Sequence, residues 1–580
     1  MMNKILSLQT ILKRIKCDIY ILPSSDEFLN EFVPDRNKRL HWLTDFTGSY
    51  GIAFISKEKR IFFTDGRYML QAKKELKNNF EIFDQSKLGL DDYIRENVKK
   101  KNILLDTRLF SRDLVNKLIN SSGQNQNKII HDRDFILDKL WKGRLSSKTN
   151  KVYELKLNFS GLSRKKKIKS FLEFYSNYDA IILSSPESIC WLLNIRGNGL
   201  EFTPIILCRI IVIQSIFYLF VEKDLVENLN FLKSSEFNIH SLEEFPFFIK
   251  KIKKGVKIFI DKNLSYYFYQ ILVSKKTSLD TKNDFCMLNK SIKNKNEIKT
   301  SRNSHVMDGI ALVKFFCWLE DNGIKNKITE YQASEKLDCL RSKNKNFVSK
   351  SFPTIAASDE NGAIIHYSPN KKSKILKNGS IFLCDSGAQY YGSTTDVTRT
   401  ILLGNAKPSD ILKLIYTEVL MGHIDISKLK FPKGTKGSQI DILGRHYLWK
   451  SGLDYNHGTG HGVGSFLSVH ENPPNISKNS NNFELKPGMI LSNEPGCYLK
   501  NKFGVRIENL LLVKEEKNSG FLEFETLTLC PYQKNLIDEK KLNNDQISWI
   551  NKYNKRVWET LKSNLNRSET KWLKKNVGEI

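Results

Sequence analysis

The segment DSGAQYYGSTTDVTRT, from Asp385 to Thr400, constrains this chain more than any other. It follows the apolar run at residues 381–383, so Asp385 leaves a strand suited to burial, and Asp396 rides on a second strand-like run. A hairpin folded between Tyr390 and Tyr391 puts the two acids opposite each other. Two carboxylates facing each other in a buried sheet repel unless a proton or cations lie between them. Two aspartates eleven residues apart would, alone, be read as turn formers. The region that follows argues otherwise.

HGTGHGVGSFLSVHE, from His457 to Glu471, places three of the chain's ten histidines within fourteen residues. They stand among glycines, which let a backbone pass close to a site. A lone histidine is usually a packed core residue; three together read as metal ligands or proton carriers. Two acidic motifs follow, NEPGCY with Glu494 and FGVRIEN with Glu508, at or within strand-like segments 488–491 and 505–510.

Asp385, Asp396, His461, Glu494 and Glu508 together form a hard, oxygen-rich set suited to Mn²⁺, Co²⁺, Fe²⁺ or Zn²⁺. Their four carboxylates balance two divalent cations, so the charge count favours a dinuclear site. Two metals about 3.5 Å apart can share a hydroxide and clamp the oxyanion that it creates. The chemistry expected is hydrolysis of an amide or ester.

The 580 residues are too many for one core and call for two to four domains. Residues 19–23, 52–55 and 60–64 read as strands, the last two as a hairpin, with a helix over 67–77. This first α/β module closes in the polar stretch 146–150. A second module repeats the mixture, with strands at 180–183, 204–221 and 256–260 and helical segments at 187–193 and 226–232. The Lys- and Asn-rich stretch 287–303 reads as a connection or an exposed helix start, before helical spacing at 306–319. After about residue 530 comes a polar, helix-prone tail in which Trp549, Trp558 and Trp572 read as packing anchors.

Nine scattered cysteines without a CxxC pair argue against a disulfide framework and for a reducing, cytoplasmic setting. The longest apolar run, 204–221, is interrupted by Arg209, Gln214 and Ser215, and reads as buried strands rather than a membrane span. The first residues read as a helix, without a signal-peptide core. The net charge of +29 could mark a nucleic-acid or anionic-membrane partner. Its densest clusters, 164–169 and 290–299, lack interleaved aromatics, so the surplus reads as solvated lysine and boundary segments.

These motifs resemble aminopeptidase P, the Xaa-Pro aminopeptidases of the pita-bread metallopeptidase superfamily, in its long three-domain form. The likeness extends to RLHWLTDFTGSYGIAFISKEKRIFFTDGRYMLQ at 39–71, WLLNIRGNGLEFTPIILC at 191–208 and SFPTIAASDENGAIIHYSP at 351–369. It implies an α/β and α+β multidomain fold: two creatinase-like domains, 1–155 and 156–298, a pita-bread catalytic domain, 299–530, and a helical extension, 531–580. It also implies a homodimer acting on peptides with a penultimate proline, with two divalent metals, Mn²⁺ first and Co²⁺ or Zn²⁺ as alternatives. No membrane or nucleic-acid partner is expected.

By the same resemblance Asp385 chelates one metal, His461 and Glu494 the other, and Asp396 and Glu508 bridge them. His366, His457 and His470 match non-ligand histidines. His470 steadies the tetrahedral intermediate or carries a proton, and His366 and His457 orient substrate. Glu494 or the bridging hydroxide takes the attacking water's proton, and Tyr498 and Arg506 flank the substrate pocket. The Xaa-Pro bond is a tertiary amide without an N–H, its ring fixing φ, so a pocket shaped for the ring with metal activation suits it.

Two positions depart from the pattern. Cys497 replaces an aromatic or aliphatic residue, and Asn493 stands where many relatives have Asp. A thiol beside the site could tune metal preference or oxidation sensitivity, while its plainer role is a small packing residue. Prolidase and methionine aminopeptidase chemistry are alternatives within the fold; two full leading modules argue against the second. A binding protein reusing the fold would typically lose ligands, and all five are present.

Overall fold

The computed structural model describes residues 1–145, 151–275, 277–479, 482–517 and 520–580, so the stretch expected to close the first module, 146–150, lies outside the described residues. The chain divides into two compact units, Met1–Leu155 with Ser163–Cys286, and Lys156–Leu162 with Met287–Ile580.

The first unit contains one topology twice. Its first six-stranded sheet runs in the order Glu81–Asp84, Arg60–Thr64, Ile52–Ser56, Ile19–Pro23, Asn102–Leu105, Lys128–His131. The three central strands are antiparallel neighbours, and the outer strands join in parallel. The second sheet runs Phe237–His240, Ile216–Phe220, Arg209–Ile213, Ala180–Leu183, Lys257–Asp261, Ser278–Lys282, with the same alternation of direction. Central strands such as Ile19–Pro23 and Ala180–Leu183 are buried at every position, as sheets covered on both faces require.

Several local expectations shift. Residues 204–208 stay outside the ladder, and the hairpin is built from Arg209–Ile213 and Ile216–Phe220. Residues 226–232 form no α-helix; only short 3₁₀ turns, Lys223–Leu225 and Asn230–Lys233, flank and enter them. Asn and Ser around this segment offer side-chain bonds that compete with the helical ladder. The basic cluster at 164–169 opens the helix Arg164–Phe174, where Lys167 is buried and donates to the Trp191 carbonyl at 2.9 Å and to Asn194 Oδ1 at 2.7 Å. Lys165, Lys166 and Lys169 are exposed as solvated charge, so Lys167 is the exception within the cluster.

In the second unit, Asn294 caps the long helix Lys295–Asn322 in a capping box with Glu297. Lys290 and Lys293, expected on an exposed face, are instead buried on the Glu471 carboxylate. The rest is antiparallel. A three-stranded sheet joins Ile355–Ser358, Ile381–Ser386 and Val397–Leu402, and a six-stranded one runs Lys430–Phe431, Leu522–Thr526, Asn509–Glu515, Ile490–Asn493, Gly460–Gly462, Glu471–Ile476. The helix Asp410–Ser427 packs on Ile490–Asn493 and on the ribbon Gly496–Leu499/Phe503–Arg506. Terminal helices Asn544–Leu561 and Arg567–Asn576 close this core, with Trp549, Trp558 and Trp572 against it. No described helix is long and apolar enough to cross a membrane.

Candidate metal centre

Asp385 lies near the end of the strand Ile381–Ser386, and Asp396 just before the strand Val397–Leu402. The register differs from expectation. Tyr390 pairs with Ser393, so the turn is Tyr391–Gly392, and Asp385 stands opposite Thr398. Gly392 takes φ +83°, a left-handed conformation that Tyr391 would resist, and this draws the turn one residue along. Asp396 is two residues before Thr398, so the acids are diagonal neighbours on one face instead of direct partners.

Glu508 departs from expectation too. Residues 505–510 are not one strand, because Phe503–Arg506 pairs with Gly496–Leu499 while Asn509–Glu515 pairs with Ile490–Asn493. Glu508 sits where the chain changes partners, its N–H donating to the Thr398 carbonyl at 3.1 Å. Glu494 follows the last residue of Ile490–Asn493. His461 lies in the short strand Gly460–Gly462, where a Cβ on Gly460 would meet the Ser492 carbonyl oxygen at 2.0 Å. Only glycine lets that strand approach so closely.

One ligand atom each from Asp396, His461 and Glu508 falls within 4.8 Å of the others. His461 Nε2 is 3.5 Å from both Asp396 Oδ2 and Glu494 Oε1. Asp385 Oδ2 accepts from the Arg506 guanidinium at 2.6 Å, and Glu508 Oε2 accepts from the Thr398 hydroxyl at 2.8 Å. The second oxygens, Asp385 Oδ1, Asp396 Oδ1 and Glu508 Oε1, are buried without a hydrogen-bond partner. Burial, then Asp385 and Glu494, push the Asp396 carboxyl well above the usual range. Burial, then Asp396, Asp385 and Glu494, do the same to Glu508. Buried acids with unused oxygens, crowded by like charge, fit divalent cations.

The remaining candidates surround this cluster. Tyr498 OH accepts from Arg506 at 2.7 Å and lies 2.9 Å from His457 Nε2. His457 Nδ1 is 4.0 Å from Glu494 Oε2. The His470 ring meets His461 edge-on, with centroids 4.5 Å apart. His366 follows Ile365, whose carbonyl accepts from Arg506 at 3.5 Å. Burial alone would weaken the Arg506 cation, but Tyr498 and Asp385 hold it firmly protonated.

Sequence reading missed three supports. Thr398 orients Glu508, and strand alternation from Asp396 could have pointed to it. Ser492 donates to Glu494 Oε1 at 3.2 Å and accepts from the His461 N–H at 2.9 Å. Glu330, fully buried, accepts from Ser358, Asn361 and Tyr367 and so ties down the loop bearing His366. No motif signals Glu330. Cys497 is buried in the core beside the site, and burial pushes its thiol up to about 12.

Residues 299–515 match the profile of metallopeptidase family M24, and 520–580 its C-terminal region. Residues 4–131 and 143–297 each match a creatinase/prolidase N-terminal domain, in line with the repeated topology. Xaa-Pro aminopeptidase 1 of Dictyostelium discoideum is 36% identical over 99% of this chain and 96% of its own length. The chain belongs to the Xaa-Pro aminopeptidase family. Aminopeptidase P1 of Lotus japonicus is 33% identical over 96% of each chain. The X-prolyl aminopeptidase of Caenorhabditis elegans, a cytosolic enzyme with a di-nuclear active site, superposes with a TM-score of 0.95 at 31% identity, covering 100% of this chain and 99% of its own. The fold of these aminopeptidases, two creatinase-like domains and a pita-bread catalytic domain, is the fold of this chain.

Proposed function

We infer that this chain is a two-metal aminopeptidase that hydrolyses the bond between an amino-terminal residue and a penultimate proline. The observation that carries this reading is the convergence of three buried, unpartnered carboxylate oxygens beside His461. In this reading Asp385, Asp396, His461, Glu494 and Glu508 hold the metals. Two divalent cations supply, when bound, Lewis acidity that polarises the peptide carbonyl and lowers the pKa of water.

The chain's own groups do the rest. Glu494, near both His461 and His457, takes the attacking water's proton. The proline nitrogen has no N–H and must gain a proton to leave; His470, packed against His461, delivers it. Arg506 fixes Asp385 and Tyr498, and Tyr498 with His457 lines the substrate side. His366 orients the peptide from the loop anchored by Glu330. We further place Mn²⁺ at the site, the protein in the cytoplasm as a homodimer, and the domain boundaries at 155, 298 and 530.

Metal-stripped protein is given the peptide Arg-Pro-Pro with Mn²⁺ restored, Glu508→Ala serving as control. Release of free arginine by the wild type alone, and none from Arg-Ala-Ala, is the expected result. A folded protein that releases nothing with Mn²⁺, Co²⁺ or Zn²⁺ overturns the reading.

A further inference from the structure

Glu494 and Glu508 each have an asparagine as chain neighbour, Asn493 and Asn509, and these two asparagines are paired directly across the ladder. Successive side chains alternate between faces of a strand, so the glutamates turn to the site and the asparagines to the opposite face. Behind the sheet both asparagines, themselves without exposed surface, enter a buried polar hub. Asn493 Nδ2 donates to the His423 carbonyl at 2.8 Å and to Ser427 Oγ at 3.0 Å. His423 Nδ1 donates to the Asn493 carbonyl at 3.1 Å. Its Nε2 faces Asn509 Nδ2 at 3.1 Å and Tyr532 OH at 3.0 Å. Asn509 Nδ2 also donates to Tyr532 OH at 2.7 Å.

Burial, reinforced by Arg399, lowers the His423 pKa to about 3, leaving a neutral ring that donates on one side and accepts on the other. Arg399 completes the hub. It donates to Asn509 Oδ1 at 2.8 Å, to the Glu508 carbonyl at 2.7 Å, and to Tyr553 OH at 3.2 Å. Tyr553 belongs to the terminal helix Asn544–Leu561, and its hydroxyl also bonds the backbone at Cys530 and Thr528.

We propose that this hub is a positioning device for the metal centre: the Asn493–Asn509 pair, locked by His423, Arg399, Tyr532 and Tyr553, sets the separation of Glu494 and Glu508. The carboxy-terminal extension thereby takes part in holding metal, through Tyr553. The geometry makes this consequential. Both glutamates sit at the margin of the ladder, where Glu494 N–H goes to the Thr459 carbonyl and Glu508 N–H to that of Thr398. Their mutual spacing is then carried by the asparagines behind them. Outer-shell groups that orient metal ligands cost affinity when lost, so slack in the hub becomes weaker metal binding. The inference rests on reading Glu494 and Glu508 as ligands.

Metal-free wild type, Asn509→Ala, Tyr553→Phe and Glu508→Ala are titrated with Mn²⁺ by calorimetry, and their metal-free melting temperatures are recorded. Asn509→Ala should raise the Mn²⁺ dissociation constant about 10-fold, and Tyr553→Phe about fivefold. Activity in both should recover in excess Mn²⁺. Wild-type affinity in both variants, whatever their melting temperatures, overturns the proposal. Should Asn509→Ala fail to fold, Tyr553→Phe decides alone. Glu508→Ala keeps the two readings apart. If it binds Mn²⁺ like wild type, the ligand assignment fails; if it loses metal while the hub variants do not, only the positioning role fails.

Discussion

Two clusters of charge among the described residues, one half-buried in the first unit and one buried in the second, are built in opposite ways. In the first unit Arg39, Arg108 and Arg144 meet Glu27, Asp106 and Asp138, three cations against three anions. Arg39 Nε bonds Asp138 at 2.6 Å, Arg108 bonds Asp106 at 2.6 Å, and Arg144 lies 3.2 Å from Asp138. Burial would raise Asp138 and Glu27, but the arginines, Arg39 foremost, hold both below the usual carboxylate range. At the candidate metal centre Asp385, Asp396, Glu494 and Glu508 share Arg506 and an imidazole, and there burial and repulsion win for Asp396 and Glu508. A balanced cluster closes on itself and serves the fold. A surplus of one sign, held in place by the surrounding structure, marks where something of opposite charge belongs.

The comparison breaks most visibly at the surplus. Glu508→Ala should lower kcat/KM for Arg-Pro-Pro on the order of 10⁴-fold, read as released arginine at saturating Mn²⁺. In the balanced cluster the loss should appear in stability instead. Arg39→Met leaves Glu27 and Asp138, both half-buried, without their principal cation, which should cost about 2–4 kcal/mol in urea unfolding and leave Mn²⁺ affinity unchanged. The pH dependence follows the same division. Asp138 and Glu27 have lowered folded-state values, so their contribution is full above their ordinary values near pH 4 and is lost as the pH falls below. Acid unfolding monitored by circular dichroism should therefore show a smaller acid-dependent loss in Arg39→Met.

A smaller effect should have the opposite sign. In metal-free protein, Asp396→Asn removes a buried charge that has no use for all its oxygens, and the melting temperature should rise, by about 1–3 kcal/mol in stability terms. Because the folded-state value of Asp396 is raised, ionisation penalises the folded state as pH increases, so the gain should be larger at pH 8 than at pH 5. Calorimetry showing a lower melting temperature at pH 8 would mean that the four acids are already satisfied without metal. The smallest effect belongs to Cys497. Its thiol is pushed to about 12 by burial and stays protonated, so Cys497→Ala should leave peroxide sensitivity of the enzyme unchanged.

Much of this was legible in the residues. Apolar runs at 19–23, 52–55, 60–64 and 180–183 are strands because β-branched and aromatic side chains over a few residues suit a buried sheet. The clustering of His457, His461 and His470 among glycines was visible for the same local reason. Less was legible where partners lie far along the chain. The turn at Tyr391–Gly392, two residues of register away from direct Asp385–Asp396 pairing, depended on one glycine's conformation. Lys290 and Lys293 read as solvated charge because nothing near them announces Glu471, about 180 positions away.

What the sequence by itself determined was the inventory: five side chains of hard-ligand type, the histidines beside them and two leading α/β modules, all carried by local pattern and residue chemistry. What only the tertiary structure decided was which oxygens remain free. Arg506 takes one oxygen of Asp385 and Thr398 one of Glu508, while Asn493 and Asn509 tie the strands behind the glutamates to His423, Arg399 and the terminal helix. A hydrogen bond is spent or spared by atoms that meet across a hundred residues of chain, and periodicity along one strand carries no record of that meeting.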